Sequence, residues 1–293
     1  MTVERETVEV LRYAAFTTDP KGGNPAGVVA DARRLDAATM QRIAAEVGYS
    51  ESAFLLPHAG GESESAVVAE FDVRYFTPEV EVPFCGHATI ASGVVLGERY
   101  GPGRYLLHPP AGPIAVDVGR DAYGYHATFA SVVPKLAAFD DVEPLLQALR
   151  WSASELDPAL PPRLAFAGLW HPVIAVSTRR RLAELDPDWE RLTAVMRDAG
   201  WSTVQLVWRE SPTTYWSRNL APAVGIREDP ATGSAAAAFG HYLRELGAIK
   251  LPAELTIHQG DDLGRPSLLT VLVEAGDPRV RVRGHAVPIT AGR

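Results

Sequence analysis

The chain has 293 residues, 46% of them hydrophobic, and a formal net charge of -8. That length exceeds the usual size of one compact domain and carries enough apolar side chain for more than one core, so two lobes are expected. Lysine occurs only at positions 21, 135 and 250, which leaves no basic tract to follow a phosphate backbone and excludes nucleic acid as the expected partner. The opening Met1-Thr2-Val3-Glu4-Arg5-Glu6 is acidic where a signal peptide is basic. No run approaches the roughly 18–20 apolar residues that span a bilayer, so a soluble cytoplasmic protein with no membrane partner is expected. The single cysteine, Cys85, excludes an intramolecular disulfide and suits a reducing compartment.

In chain order, Val8 to Phe16 is rich in β-branched and aromatic residues and predicts a strand. Asp36 is placed as an N-cap, Met40, Ile43, Ala44 and Val47 fall on one helical face, and Gly48 follows as a stop, which predicts a surface helix. Ala66 to Phe76 alternates apolar with other residues at period two and predicts a second strand. Ala88 to Leu96 is small or apolar all round, as suits a helix enclosed by protein. The stretch Ala130 to Asp141 reads as the connection between lobes. Asp186 as cap, Pro187 in the first turn, the set Leu192, Val195, Met196 and Ala199, and Gly200 as stop predict an amphipathic helix before a strand at Val204 to Val207. Ala235 to Leu243 is a second enclosed helix, and Val280 to Pro288 a last strand that could return to either lobe.

The two enclosed helices look alike. Phe84-Cys85-Gly86-His87-Ala88-Thr89 aligns with Ala231-Thr232-Gly233-Ser234-Ala235-Ala236, and an Arg-x-x-x-Pro precedes each as Arg74/Pro78 and Arg218/Pro222. The pattern suggests two half-molecules of similar fold, against the alternative of chance similarity between Ala/Gly-rich helices. The distance from Pro to Gly is 8 residues in one copy (86 minus 78) and 11 in the other (233 minus 222).

If these helices begin at Gly86 and Gly233, then Gly86-His87 and Gly233-Ser234 present backbone N–H groups at positive helix ends, where a carboxylate fits. Each end is worth roughly 0.3–1 kcal/mol when exposed and up to about 2 when partly buried. The plainer account is ordinary capping by Thr232 and Ser234. Glu51 follows the Gly48 stop and is succeeded at once by Ser52-Ala53-Phe54-Leu55-Leu56. A carboxylate entering an apolar wall tends to a raised pKa and can take and return a proton near neutrality; the alternative is a solvated glutamate at a strand end. Asp229 stands just before the second helix and could hold a substrate amine or hydroxyl, or simply suit the helix dipole. His87 could donate to a developing enolate oxygen, or be a satisfied core histidine. There is no dinucleotide fingerprint, Walker loop or nucleophile elbow. The eight histidines show no metal-ligand spacing, so neither metal nor cofactor is expected.

Several blocks together resemble the PhzF family, named for the phenazine-biosynthesis isomerase: Gly22-Gly23-Asn24-Pro25, Ser50-Glu51-Ser52-Ala53-Phe54, Arg74-Tyr75-Phe76-Thr77-Pro78, Pro83-Phe84-Cys85-Gly86-His87, Glu228-Asp229-Pro230-Ala231-Thr232-Gly233-Ser234-Ala235-Ala236, and Gln259-Gly260 through Gly264-Arg265-Pro266-Ser267. They run in the family's order from about residue 10 to 290. The resemblance implies an α+β, diaminopimelate epimerase-like fold of two pseudo-symmetric lobes, each a β-barrel-like sheet around a central helix, with the active site in the cleft. Residues 1–130 would form the first lobe, with 280–293 able to join it, and 131–293 the second. By position Glu51 matches the family's catalytic acid/base, His87 and Asp229 its polar substrate-holding residues, and Gly86, Gly233, Ser234 and Asn24 the substrate-binding set. The implied activity is a cofactor-independent isomerase that moves a carbon-bound proton in a small carboxylate-bearing substrate, a class that includes cyclic amino acids, and the implied assembly is a homodimer. Related epimerases use two opposed cysteines; here Cys85 stands near one position and Thr232 at the other, so a two-thiol route is excluded. The motif Phe84-Cys85-Gly86-His87-Ala88 departs from the phenazine enzyme's own, which leaves the substrate open. Two alternatives stand beside this reading: a non-catalytic binding or scaffold protein on the same fold, and a racemase using Glu51 with Cys85.

Overall fold

Residues 8–58 and 66–290 are described by the computed structural model. The elements in its first part are β1 (Leu11–Ala15), β2 (Asn24–Val29), α1 (Ala37–Val47), β3 (Glu51–Pro57), β4 (Val67–Phe76), β5 (Glu81–Val82), α2 (Gly86–Tyr100), β6 (Gly103–His108), β7 (Ile114–Asp121) and β8 (Gly124–Ala130). There follow β9 (Lys135–Ala138), α3 (Glu143–Leu149), β10 (Arg163–Phe166), β11 (Trp170–Val176), α4 (Arg179–Ala183), α5 (Trp189–Ala199), β12 (Val204–Arg209), β13 (Thr214–Leu220) and β14 (Glu228–Asp229), then α6 (Gly233–Glu245), β15 (Ala253–Gln259), β16 (Ser267–Val273) and β17 (Val280–Pro288). The described residues divide into two units, one of residues 8–21, 25–58, 66–129 and 285–290, the other of 22–24 and 130–284.

Local chemistry explains most element ends. Asp36 accepts from the Thr39 N–H and Gly48 closes α1 with φ 71, the conformation in which glycine carries no Cβ penalty. Met40, Ile43 and Ala44 then pack with Val29, Phe54 and Phe76. The cap of α5 differs from the sequence expectation. Asp188, not Asp186, accepts from the Arg191 N–H, because the Asp188 N–H is itself tied to the Ala148 carbonyl, while Asp186 is exposed and pairs with Arg150. Gly200 ends that helix as expected, with φ 69. The first strand begins at Leu11 rather than Val8, and it ends where Phe16 turns to φ 63. The expected interlobe connection carries a strand of its own, β9, which pairs with β10.

In the first unit, β2 runs parallel to β3, β3 antiparallel to β4, β4 parallel to β6, and β6, β7 and β8 follow antiparallel. Pairings of β8 with β17, β17 with β1 and β1 with β2 close a ring of eight strands. The second unit repeats the sequence of directions: β11 parallel to β12, β12 antiparallel to β13, β13 parallel to β15, then β15, β16 and β17 antiparallel. A parallel pair needs a crossover; α2 supplies it between β4 and β6, and α6 between β13 and β15. Both crossover helices are buried along most of their length, α2 from His87 to Gly97 and α6 from Gly233 to Leu243 with two partly exposed positions, Ser234 and His241.

The repeat extends to single residues. Arg74 on β4 makes a two-pronged bond to Glu81 on β5, and Arg218 on β13 makes the same bond to Glu228 on β14. Each glutamate precedes its helix-start glycine by five residues (86 minus 81, 233 minus 228). The extra three residues of the second copy therefore lie between Pro222 and Glu228, in a turn closed by Gly225 at φ 91. Seven residues into each helix stands a glycine at which the sheet meets the helix backbone. A Cβ on Gly93 would lie 2.7 Å from the Ala127 Cβ, and one on Gly240 2.7 Å from the Val271 Cγ1. Internal duplication accounts for these coincidences; chance similarity of two Ala-rich helices does not. Among the described residues no helix is long and apolar enough to cross a membrane.

Candidate active site

In the first unit the site residues gather at the start of α2. Glu51 is the first residue of β3, placed by the α1 stop at Gly48 and by the parallel register that sets it opposite Ala26. Next to it, Ser52 lies against Gly27, where a Cβ would come within 2.5 Å of the Ser52 Oγ, so the strands approach closely and hold the glutamate's backbone. Its side chain is 22% exposed and its Oε2 lies 3.4 Å from the Nε2 of His87, which is 6% exposed. The Ser50 Oγ is also 3.4 Å from that nitrogen. On the ring's other side the Cys85 Sγ lies 3.3 Å from Nδ1. Glu51, Cys85 and His87 thus bring an oxygen, a sulfur and a nitrogen within 4.8 Å of one another.

The turn that carries Cys85 is fixed from below. The Thr89 hydroxyl donates to the Cys85 carbonyl at 2.7 Å, so the buried Tyr75 hydroxyl, 2.6 Å from the Thr89 Oγ1, donates to it. Burial pushes the Tyr75 phenol up, which keeps it a donor. Neither Cys85 at the start of α2 nor Thr232 at the start of α6 caps its helix with a side-chain hydrogen bond to a first-turn backbone N–H. Ordinary side-chain capping therefore does not account for either terminus, and the first-turn N–H groups of Gly86-His87 and Gly233-Ser234 stand at positive helix ends.

In the second unit Asp229 is held on both oxygens. Asn24, 1% exposed, donates through Nδ2 to its Oδ1 at 2.7 Å and to the Ala231 carbonyl at 3.0 Å, while the Thr232 hydroxyl donates to its Oδ2 at 2.6 Å. Gln259 spans the same turn: its Nε2 donates to the Asp229 carbonyl at 2.7 Å and its Oε1 accepts from the Thr232 N–H at 3.2 Å. Asn24 is steadied in turn by Arg265, which donates to the carbonyls of Gly22 and Gly23 at 2.6 and 2.8 Å. The adjoining Gly260 is at φ 79, where a Cβ would meet the Pro230 carbonyl at 2.7 Å.

The structure therefore brings Glu51 to His87 and Gly86 in one unit, and Asn24 to Asp229 beside Gly233 and Ser234 in the other. Gln259 and Arg265 received no role from the sequence; their only signal was membership of the Gln259 to Ser267 block. In the duplicated frame Cys85 corresponds to Thr232 and His87 to Ser234. The two starts share backbone and differ in side chain: one offers a thiol and an imidazole beside a carboxylate, the other a hydroxyl bonded to a carboxylate. Within the first unit, a carboxylate that is 22% exposed beside a buried histidine at a helix start is an arrangement able to exchange a proton with a bound small molecule.

Residues 13–292 match the family described as phenazine biosynthesis-like protein. The chain belongs to that PhzC–PhzF family. It is 33% identical to the trans-2,3-dihydro-3-hydroxyanthranilate isomerase of Pseudomonas fluorescens, over 95% of this chain and 96% of the relative. It is 35% identical to an uncharacterized isomerase of Deinococcus radiodurans, over 94% of this chain and 90% of the relative. The crystal structure of the Bacillus anthracis phenazine biosynthesis protein of the PhzF family superposes with a TM-score of 0.83 at 27% identity, covering 96% of each chain. The protein is accordingly an isomerase with the α+β epimerase-like fold, and the scaffold alternative falls away.

Proposed function

We propose that this isomerase shifts a carbon-bound proton within a small carboxylate-bearing cyclic amino acid, with Glu51 as the single general acid/base. The observation that carries the reading is the Glu51 carboxylate, one-fifth exposed and 3.4 Å from His87 at the first turn of the buried helix α2. Glu51 takes the proton from carbon and returns it to another carbon of the same molecule. His87, held between Cys85 and Glu51, donates to the oxygen on which negative charge gathers. In the first unit the N–H groups at Gly86-His87 offer donors to a substrate oxygen; in the second, the N–H groups at Gly233-Ser234 do the same, and Asp229, oriented by Asn24 and Thr232, offers an acceptor to an amine or hydroxyl. Each proton lost is regained within one turnover, so the route calls on no cofactor. The Pseudomonas relative's substrate, a dihydro-hydroxyanthranilate, carries the required carboxylate and is the first to test.

Glu51 and Cys85 make a poor opposed pair for a racemase. Two bases that flank a carbon at near-attack distance stand about 6–7 Å apart, roughly 3–3.5 Å on each side, whereas the ligating atoms of Glu51 and Cys85 lie within 4.8 Å. Steady-state turnover of Glu51→Gln and Cys85→Ala separates the schemes. The single-base route predicts a loss of roughly 10²- to 10⁴-fold in the first and retention of most activity in the second. Abolished turnover in Cys85→Ala would revive the pair.

A further inference from the structure

A second cluster of ionisable side chains lies on the first unit's sheet, at the opposite end of β3 from Glu51. His58, directly after β3, stacks on His108 at the end of β6 with ring centroids 4.0 Å apart and planes inclined by 12°. Two carboxylates of β4 accompany them: the Asp72 Oδ1 lies 2.7 Å from the His58 Nδ1, and the Glu70 Oε2 lies 3.0 Å from the His108 Nε2. The sheet dictates this assembly. Asp72 and His108 are register partners across the parallel pair of β4 and β6, Glu70 is two residues earlier and so on the same face, and the His58 N–H donates to the Glu70 carbonyl at 3.1 Å.

We infer that His58, Glu70 and His108 form a binding site for a single divalent transition ion of the zinc type, with Asp72 orienting His58 from outside. One ligand atom from each of the three lies within 4.8 Å of the other two. Nitrogen and carboxylate ligands bound to zinc at about 2.1 Å in tetrahedral geometry are about 3.4 Å apart, so the 3.0 Å contact of His108 with Glu70 already approximates a ligand edge, and His58 joins when its ring turns out of its stack on His108. The bond of the His58 Nδ1–H to Asp72 fixes its tautomer and leaves Nε2 as the donor atom, the carboxylate–histidine arrangement that accompanies metal-bound imidazoles. Side-chain exposures of 28% for His58, 21% for Glu70 and 20% for His108 leave one side open to a water as fourth ligand. Two imidazoles select zinc, copper, nickel or cobalt over calcium and magnesium, which prefer all-oxygen shells. Such an ion would tie together β3, β4 and β6. The histidines and glutamate are too scattered in sequence to form a motif, Glu70 and His108 being 38 residues apart, and only the strand pairing unites them.

The test is titration of chelator-treated full-length protein with Zn²⁺ alone by calorimetry, with Co²⁺ as an optical probe. Wild type is expected to bind one equivalent, His58→Gln and His108→Gln at least tenfold more weakly, and Asp72→Asn roughly 10- to 100-fold more weakly. Cys85→Ser, at the other three-ligand group, is expected to bind as wild type. Imidazole NMR of the unmutated protein gives a reading that needs no variant to fold: the signals of His58 and His108 shift on Zn²⁺ addition and that of His87 does not. Absence of Zn²⁺ uptake, uptake retained by both histidine variants, or uptake lost in Cys85→Ser overturns the assignment.

Discussion

The duplicated Arg–Glu pair allows one interaction to be weighed in two environments. Arg218 and Glu228 have side-chain exposures of 12% and 4%, and Arg218 also donates to the Ala183 carbonyl at 3.0 Å. Arg74 and Glu81 make the same two-pronged bond at 32% and 33% exposure. Arg218→Ala strands a carboxylate that is almost wholly buried, and breaking a buried pair from one side costs about 3–5 kcal/mol. Arg74→Ala leaves Glu81 one-third in water, where the loss is about 1 kcal/mol or less. Urea unfolding followed by fluorescence of the six tryptophans, all between Trp151 and Trp216, reads the second unit directly, and far-ultraviolet dichroism reads both. The expected result is a midpoint lowered several times more by Arg218→Ala than by Arg74→Ala. Because Glu228 adjoins Asp229, activity should fall in the former as well. Equal losses in the two variants, or a larger one for Arg74→Ala, would refute the argument that burial sets the value of the pair.

Three further outcomes are expected. His171 is wholly buried against Thr203, and burial lowers its pKa to about 3. The unfolded chain therefore binds the extra proton between about pH 6.5 and 3, so this contribution to stability is complete above that window and lost as pH falls through it; His171→Asn should flatten the dependence of the urea midpoint on pH between 7 and 5, and an unchanged slope would count against the assignment. Asn24→Asp sets a second carboxylate where an amide now donates at 2.7 Å to Asp229; turnover should drop at least tenfold near pH 7 and recover partly on acidification, as one shared proton restores the bond. Gly240→Ala pushes a methyl into Val271 at 2.7 Å and should cost about 1–3 kcal/mol of stability by overpacking, readable as a lower thermal midpoint.

What the sequence disclosed was local. The cap at Asp36, the stops at Gly48 and Gly200 and the all-round apolar helices are properties of a few neighbouring residues, and they were read correctly. The one misplaced cap, Asp186 for Asp188, failed for a nonlocal reason: the tie of the Asp188 N–H to Ala148 selects which aspartate faces the helix. The duplication was visible as two arginines and two glycines at unequal spacing, and only the β5 and β14 pairings show that the inequality is a three-residue turn. Gly93 and Gly240 held a cleaner signal, seven residues from each helix start, which makes sense once a sheet is known to press on them. The grouping of Glu51 with His87, and of Asn24 with Asp229, depended on strand register that no single segment encodes; the family blocks pointed to the residues and the folded sheet supplied the distances. Gln259 and Arg265 show the remaining limit, since amide and guanidinium groups that brace a turn through backbone carbonyls look like any other surface polar residues in a sequence.

The central claim is that Glu51 carries the proton. Incubating the purified enzyme and its Glu51→Gln variant with the dihydro-hydroxyanthranilate in deuterated water, and following carbon-bound hydrogen by NMR, tests it most directly. The account predicts isomerisation with a proton shifted between carbons, or replaced by deuterium in transit, for the wild-type enzyme, and a loss of roughly 10²- to 10⁴-fold in the variant. Isomerisation at an undiminished rate in Glu51→Gln would contradict it.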